Sequence, residues 1–487
     1  MLFGTFEFIF VFLPLVFLGY YFIIEKTSKV SSLPAIFLVL ASFAFYSWWN
    51  PVYLPILIGS IIANYFFGSL MNYRLHAKLF LYIGVSANLC LLGYFKYFGF
   101  FLENANFVFS TNILFEELLL PLGISFFTFQ QIAYLIDCYR GRYVERDFIR
   151  YSLFVTFFPQ LIAGPIVHHS EMMPQFKGRH KHKEIYEFVA KGIFVFSIGL
   201  FKKVVIADTF ALWANAGFSN TSSLTLVDSW VSVFAYTFQL YFDFSGYADM
   251  AMGIALLFCI RLPINFNSPY KALNIRDFWR NWHMTLSRFL RDYVYIPLGG
   301  SKNGNFKTYR NLFLTFVLGG VWHGAGWNFF LWGAMHGIAL IVFHVWSSGN
   351  IVLPKLFSWF ITFLYVCLAW VFFRAETFQD AVNIFSAMIG LNGFMPNSAD
   401  LAVTGNIDFF QYYSLMVFEA TGKFELILSL LIAVFAFYVC FFSPNSIEKM
   451  EKFKPSYYRM FLCAASFLFS FLLMNSLPTT EFLYYDF

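Results

Sequence analysis

His323 is a titratable side chain in a stretch where charge is absent. It lies within Asn311–Trp346, 36 residues containing no Asp, Glu, Lys or Arg. Ionisable or polar groups at membrane depth are expensive, and they face a cavity or a substrate pathway rather than lipid. The local run is VWHGAGWNFF (Val321–Phe330), and glycines recur at 319, 320, 324, 326, 333 and 337. The stretch is longer than the roughly 20 residues of one perpendicular span and too rich in Gly for a plain lipid-facing helix. Backbone that leaves regular helix at such depth must line a cavity or be buried in protein. An imidazole held at that break can take a proton near neutral pH, so His323 reads as a reaction centre. His336 follows 13 residues later. On a continuous helix it points about 140° away, so spacing alone does not give a shared site.

Arg276–Tyr293 is the second informative segment. On a helical wheel Arg276, Arg280, His283, Ser287 and Arg291 share one stripe, and Phe278, Trp282, Leu286, Phe289 and Tyr293 share another. This predicts a basic amphipathic helix lying along the cytoplasmic membrane surface, bounded by the turn PLGGS (Pro297–Ser301). Its arginines suit anionic lipid headgroups or the phosphates of an anionic donor such as coenzyme A. Gln239 and Asp243, four residues apart in an apolar segment with Asp249 close behind, are expected to bond between helices. His168, His169 and the run RHKHK (Arg179–Lys183) read as solvated loop, and Lys202-Lys203 as cations that snorkel or mark a segment end.

The elements that must position these groups are helices in a membrane. Of 487 residues, 59% are hydrophobic, 23% aromatic and only 12% charged. A soluble chain of this size does not have that composition. Apolar segments recur along the whole length, giving an all-α polytopic protein of about 10–12 spans in one integral domain, residues 1–487. The six cysteines are scattered with no C-x-x-C pair, so neither a zinc site nor a disulfide framework is indicated and no metal is expected.

The net charge of +5 is unevenly spread. Lys and Arg cluster in Arg140–Arg150, Lys177–Lys183, Lys271–Arg310 and Lys449–Arg459, whereas Ala375–Glu425 has six acidic residues and the single Lys423. The positive-inside rule puts the basic loops in the cytoplasm and both termini outside. Basic residues so placed suit a membrane surface, and no nucleic-acid partner is expected. The N-terminal apolar run lacks a basic n-region and a cleavage site, so it reads as a span rather than a removable signal.

Several long motifs then occur in order: MLFGTF (Met1–Phe6), YSWWNPVY (Tyr46–Tyr53), LPLGISFFTFQ (Leu120–Gln130), FFPQLIAGP (Phe157–Pro165), YFDFSGYAD (Tyr241–Asp249), DFWRNWH (Asp277–His283), SRFLRDYVYIPLGGS (Ser287–Ser301), VWHG (Val321–Gly324) and EFLYYDF (Glu481–Phe487). Together they resemble the membrane-bound O-acyltransferases over the whole chain, in the bacterial polysaccharide branch that includes the alginate O-acetyltransferase membrane subunit. The resemblance implies helices around a tunnel, with re-entrant and interfacial helices. It makes His323 the catalytic histidine and His283 the second characteristic histidine. It also implies that the C-terminal motif, Glu481–Phe487, carries Tyr484 as a candidate acyl carrier, ahead of its neighbour Tyr485, where the bare residues would equally suit an aromatic anchor at the membrane interface.

The resemblance implies transfer of an acetyl group from acetyl-CoA or another cytoplasmic thioester toward an extracytoplasmic polysaccharide, with no tightly bound cofactor. Arg276, Arg280 and Arg291 are the candidate donor-binding residues. Membrane lipid, an extracytoplasmic esterase/transferase-like protein and the polysaccharide acceptor are the implied partners, at a bacterial cytoplasmic membrane. The chemistry suits the residues. The attacking hydroxyl needs a base, and no Cys adjoins His323 to act as nucleophile. Trp322, Asn328 or backbone N–H groups near Gly324 are candidate oxyanion donors. Two alternatives stand beside this reading: D-alanyl transfer to teichoic acid, and a transporter of an acyl donor. A transporter would predict inverted repeats with paired broken helices, and only one Gly-broken segment is present.

Overall fold

The computed structural model describes residues 1–27, 32–73, 76–115, 119–142, 144–176, 181–349, 352–394, 423–474 and 483. Among these the chain is helical, with no strand. Six described helices are long and apolar enough to cross a membrane: Glu7–Lys26, Pro51–Met71, Ala77–Phe109, Trp327–Ser348, Lys355–Arg374 and Tyr457–Met474. Leu33–Ser47 and Leu431–Phe441 are shorter apolar helices. These spans are counted among the described residues alone, whereas the ten to twelve expected were read from apolar runs along the whole chain. Some of those runs fold as shorter helices, such as Ile124–Tyr139, and others carry polar groups into the helix, as Asn305–His323 does with Lys307 and Arg310.

The chain forms two compact units. The first comprises Met1–Ser197, Tyr247–Ile264 and Phe453–Cys463. Its centre is aromatic, with Phe3, Phe8, Phe45 and Phe158 ring against ring. Asn64 and Asn88 join two of its helices through paired side-chain hydrogen bonds. His169 is not solvated as its basic neighbourhood suggested. It is buried, with Nε2 3.5 Å from Glu145 Oε2, because its short helix His169–Phe176 turns Met172 and Met173 inward.

The second unit, Ile198–Gly246, Asn265–Lys452 and Ala464–Phe487, holds the candidate chemistry. Six helices bear on it: α1 (Leu226–Leu257, shared with the first unit), α2 (Ile275–Asn281), α3 (Met284–Leu290), α4 (Asn305–His323), α5 (Trp327–Ser348) and α6 (Lys355–Arg374). The charge-free Gly-rich stretch becomes a hairpin of α4 and α5. A Cβ on Gly320 would stand 2.3 Å from the Phe329 carbonyl oxygen, and one on Gly333 2.4 Å from that of Phe316. Small residues let two helices meet backbone to backbone, which explains the glycines beyond the break itself.

The single amphipathic helix expected over Arg276–Tyr293 is instead broken. Asn274 caps α2 by accepting the Asp277 N–H, and the helix stops at Trp282, whose backbone is extended (φ −102°, ψ 128°). His283 is left-handed (φ 41°), α3 follows, and Arg291–Tyr295 forms a wider π-helical turn. The break is stitched from outside: Asn267 N–H donates to the Asn281 carbonyl, and Met284 N–H to that of Asn265. The aromatic stripe, expected on the membrane surface, is buried inside the protein. The polar stripe splits, leaving Arg276, Arg280 and Arg291 exposed while His283 turns inward.

Candidate active site

His323 is the last residue of α4. Gly324 is extended (φ −158°, ψ 154°), and α5 starts three residues later at Trp327. The histidine is 3% exposed and walled by Trp322, Trp332 and Phe373, with ring centroids 4.9, 5.1 and 5.2 Å away. The expected Gly-rich break is therefore present, and it delivers an imidazole into an aromatic enclosure at a helix C-terminus. Partial negative charge on the final carbonyls there favours a nearby cation, such as the imidazolium that forms when a base accepts a proton.

His283 reaches the same place from the α2–α3 junction. Its ring lies 6.4 Å from that of His323, 4.8 Å from Phe244 and 6.2 Å from Trp322. Asn265 Oδ1 lies 3.1 Å from His283 Nδ1 and also accepts the Thr285 backbone N–H and hydroxyl. The Thr285 N–H can only donate, which fixes that amide atom as the oxygen. The hydrogen-bond network therefore assigns the proton of neutral His283 to Nδ1 and leaves Nε2 as the basic nitrogen. Full burial lowers the His283 pKa to about 3, so the ring is neutral at physiological pH. The left-handed backbone of this non-Gly residue costs on the order of 1–2 kcal/mol, which the Asn265 stitching must offset.

His336 belongs to this cluster, which its spacing from His323 alone does not give. It is fully buried on α5, and its Nδ1 accepts the Trp279 indole N–H at 3.2 Å. Trp332 stands between the two histidines, 5.1 Å from His323 and 4.8 Å from His336. The helical-wheel estimate assumed an unbroken helix, whereas the turn at Gly324–Gly326 reverses the chain and folds α5 back alongside α4. The break visible in the sequence was the signal that could have found it.

Arg276, Arg280 and Arg291 are not brought to the histidines. Arg276 lies over the Phe343 ring at 4.9 Å, Arg280 pairs with Asp277 at 3.5 Å, and Arg291 with Asp292 at 2.7 Å. Asn328 donates its side-chain N–H to the Ala375 carbonyl just beyond α6, a bond that ties α5 to α6. Lys203 does not snorkel. Its Nζ lies 2.6 Å from Asp243 Oδ1 and 2.8 Å from Asp208 Oδ1. Lys202 is buried too, with Nζ 3.2 Å from Ser446 Oγ. Tyr484 lies outside the described residues, but its neighbour Leu483 donates its backbone N–H to Asp243 Oδ2 at 3.2 Å. Among the described residues no group of three His, Cys, Asp or Glu side chains could hold a metal ion.

Residues 146–376 match the model of the membrane-bound O-acyltransferase family, a segment that includes His283, His323 and His336. The chain is 51% identical to a peptidoglycan O-acetyltransferase of Helicobacter pylori over 425 residues, 81% of this chain and 80% of that protein. It is 42% identical to a probable alginate O-acetylase of Pseudomonas aeruginosa, over 80% of this chain and 75% of the other. A teichoic acid D-alanyltransferase of Bacillus subtilis is 27% identical over 53% of this chain and 69% of its own length.

Proposed function

The chain belongs to the membrane-bound O-acyltransferase family and is a multi-pass membrane acyltransferase, and from that premise we propose the route of its acyl group. An acetyl group passes from a cytoplasmic thioester, acetyl-CoA, toward a hydroxyl of an extracytoplasmic polysaccharide, with His323 as general base. The observation that carries this reading is the enclosure of His323 beside His283, two rings 6.4 Å apart inside an aromatic wall. His323 takes the proton as the phenol oxygen of Tyr484 attacks the thioester carbonyl. The C–S bond then breaks, and the departing thiolate receives that proton. The Trp322 indole N–H or a backbone N–H near Gly324 stabilises the oxyanion. Asn328, tied to α6, is the weaker candidate for that role.

The exposed Arg276, Arg280 and Arg291 supply positive charge for the donor's phosphates. Tyr484, at the extracytoplasmic end of the chain, receives the acetyl group on its phenol oxygen, and a separate esterase/transferase-like protein completes delivery. The membrane is the bacterial inner membrane, with both termini outside. Peptidoglycan is favoured over alginate as acceptor, because the relative named for peptidoglycan is the more similar of the two. D-alanyl transfer to teichoic acid is disfavoured by the lower identity and partial cover of that relative.

His323→Ala tests the centre of this proposal. A well-expressed variant is expected to lose roughly 10²–10⁴ in acetyl transfer, the usual cost of removing a general base. Near-normal polysaccharide O-acetylation by cells carrying it would remove His323 from the reaction.

A further inference from the structure

We infer that the buried Lys203–Asp243 pair is a docking site for this chain's own C-terminal end, which it grips through the backbone N–H of Leu483. Asp243 sits on α1 with its side chain 1% exposed. A carboxylate withdrawn from water must be compensated by a cation and by hydrogen-bond donors. Lys203 supplies the cation at Oδ1, 2.6 Å away, and Leu483, 240 residues along the chain, supplies a donor at Oδ2. Lys203 also touches Asp208 at 2.8 Å, so one ammonium serves two carboxylates. The grip is on the backbone, so it tolerates changes of the Leu483 side chain but not removal of the N–H.

Its location gives it a purpose. Phe244, the next residue on α1, packs edge-on against His283 at 4.8 Å, and His283 neighbours His323. Leu483 is thus held by the residue that precedes a wall of the histidine site on α1. This holds whether or not Tyr484 carries an acyl group, and the test is chosen to keep the two apart.

Hydrogen–deuterium exchange of the purified full-length protein, with fragmentation that resolves the Leu483 amide, reads the contact directly. The wild-type amide is expected to be protected relative to an unstructured peptide. Asp243→Asn, which keeps the side-chain size but removes the charge, is expected to speed its exchange about tenfold, since a hydrogen bond to a charged acceptor is worth about 1.5–3 kcal/mol and one to a neutral acceptor less. Peptides around His323 should exchange as in the wild type, which excludes general unfolding. Lys203→Met removes the ammonium that holds Oδ1 and so frees the Asp243 side chain to turn away from Leu483, giving a second arm that is also expected to speed Leu483 exchange. A Leu483 amide that exchanges at the free-peptide rate in the wild type overturns the docking site. So does one whose rate neither substitution changes. Acetylation is not the readout here, so failure of the proposed acyl route leaves these outcomes intact.

Discussion

His283 shows how much a backbone angle can alter a residue's role. On a continuous helix it would have joined Arg276 and Arg280 at the surface. In its left-handed conformation it instead enters the core beside His323, neutral and bonded to Asn265. Burial lowers its pKa to about 3 in the folded chain, against 6.5 when exposed. The folded state therefore binds fewer protons than the unfolded state between those values. Its contribution to stability is complete above pH 6.5 and is lost as pH falls toward 3. Replacing it with Gln removes that term. Thermal stability of His283→Gln is expected to decline less steeply than that of the wild type between pH 7 and 5, by about 2 kcal/mol at pH 5. Parallel Tm–pH curves for the two proteins would show that His283 is not a buried neutral base. The same substitution should lower acetyl transfer at pH 7 while leaving the ring's former neighbours packed. His323 was legible in the sequence because no charge stands near it. His283 stood out as a candidate chiefly through its motif, and its orientation depends on Asn265 and Asn267, which no local pattern connects to it.

Among the elements, the α4–α5 hairpin and the α2–α3 junction show where periodicity succeeds and fails. Glycines at 320 and 333 implied a non-standard helix, and close backbone contact is the reason. The stripe of Phe278, Trp282, Leu286, Phe289 and Tyr293, read as the apolar side of a helix on the membrane surface, is buried inside the protein, since apolar surface drives burial even across a break. The matching basic stripe does not hold together, because shared angular position requires an unbroken helix. What survives is a set of three exposed arginines, two of them paired with adjacent or i−3 aspartates. Exposed pairs of that kind are weak and leave the cations available to a multiply charged donor. Substituting Arg276, Arg280 and Arg291 by Gln is therefore expected to raise the apparent KM for acetyl-CoA and to flatten its dependence on ionic strength, with kcat little changed. Donor kinetics and salt slopes identical to wild type would assign the arginines to lipid headgroups alone.

At the scale of the whole molecule, composition alone specified a polytopic helical membrane protein, because 59% hydrophobic and 12% charged residues leave no soluble alternative. The spread of basic and acidic loops is what the proposed direction rests on, from a cytoplasmic donor to an outer acceptor with the C-terminal motif on the receiving side. The buried Lys203–Asp243 pair was not legible, since pairing a lysine with a carboxylate forty residues away needs the fold. With Leu483 held there, the next residue in the chain is Tyr484, whose phenol can accept an acyl group and release it again as an aryl ester, a good leaving group. Tyr484→Phe keeps the ring and removes only the hydroxyl. Polysaccharide O-acetylation is expected to fall to background in that variant while the Leu483 amide remains protected from exchange. The chain end would then still be docked, and the loss would belong to the oxygen atom. Full acetylation by Tyr484→Phe would instead mean that the acceptor, or the partner protein, takes the acetyl group directly from the site at His323.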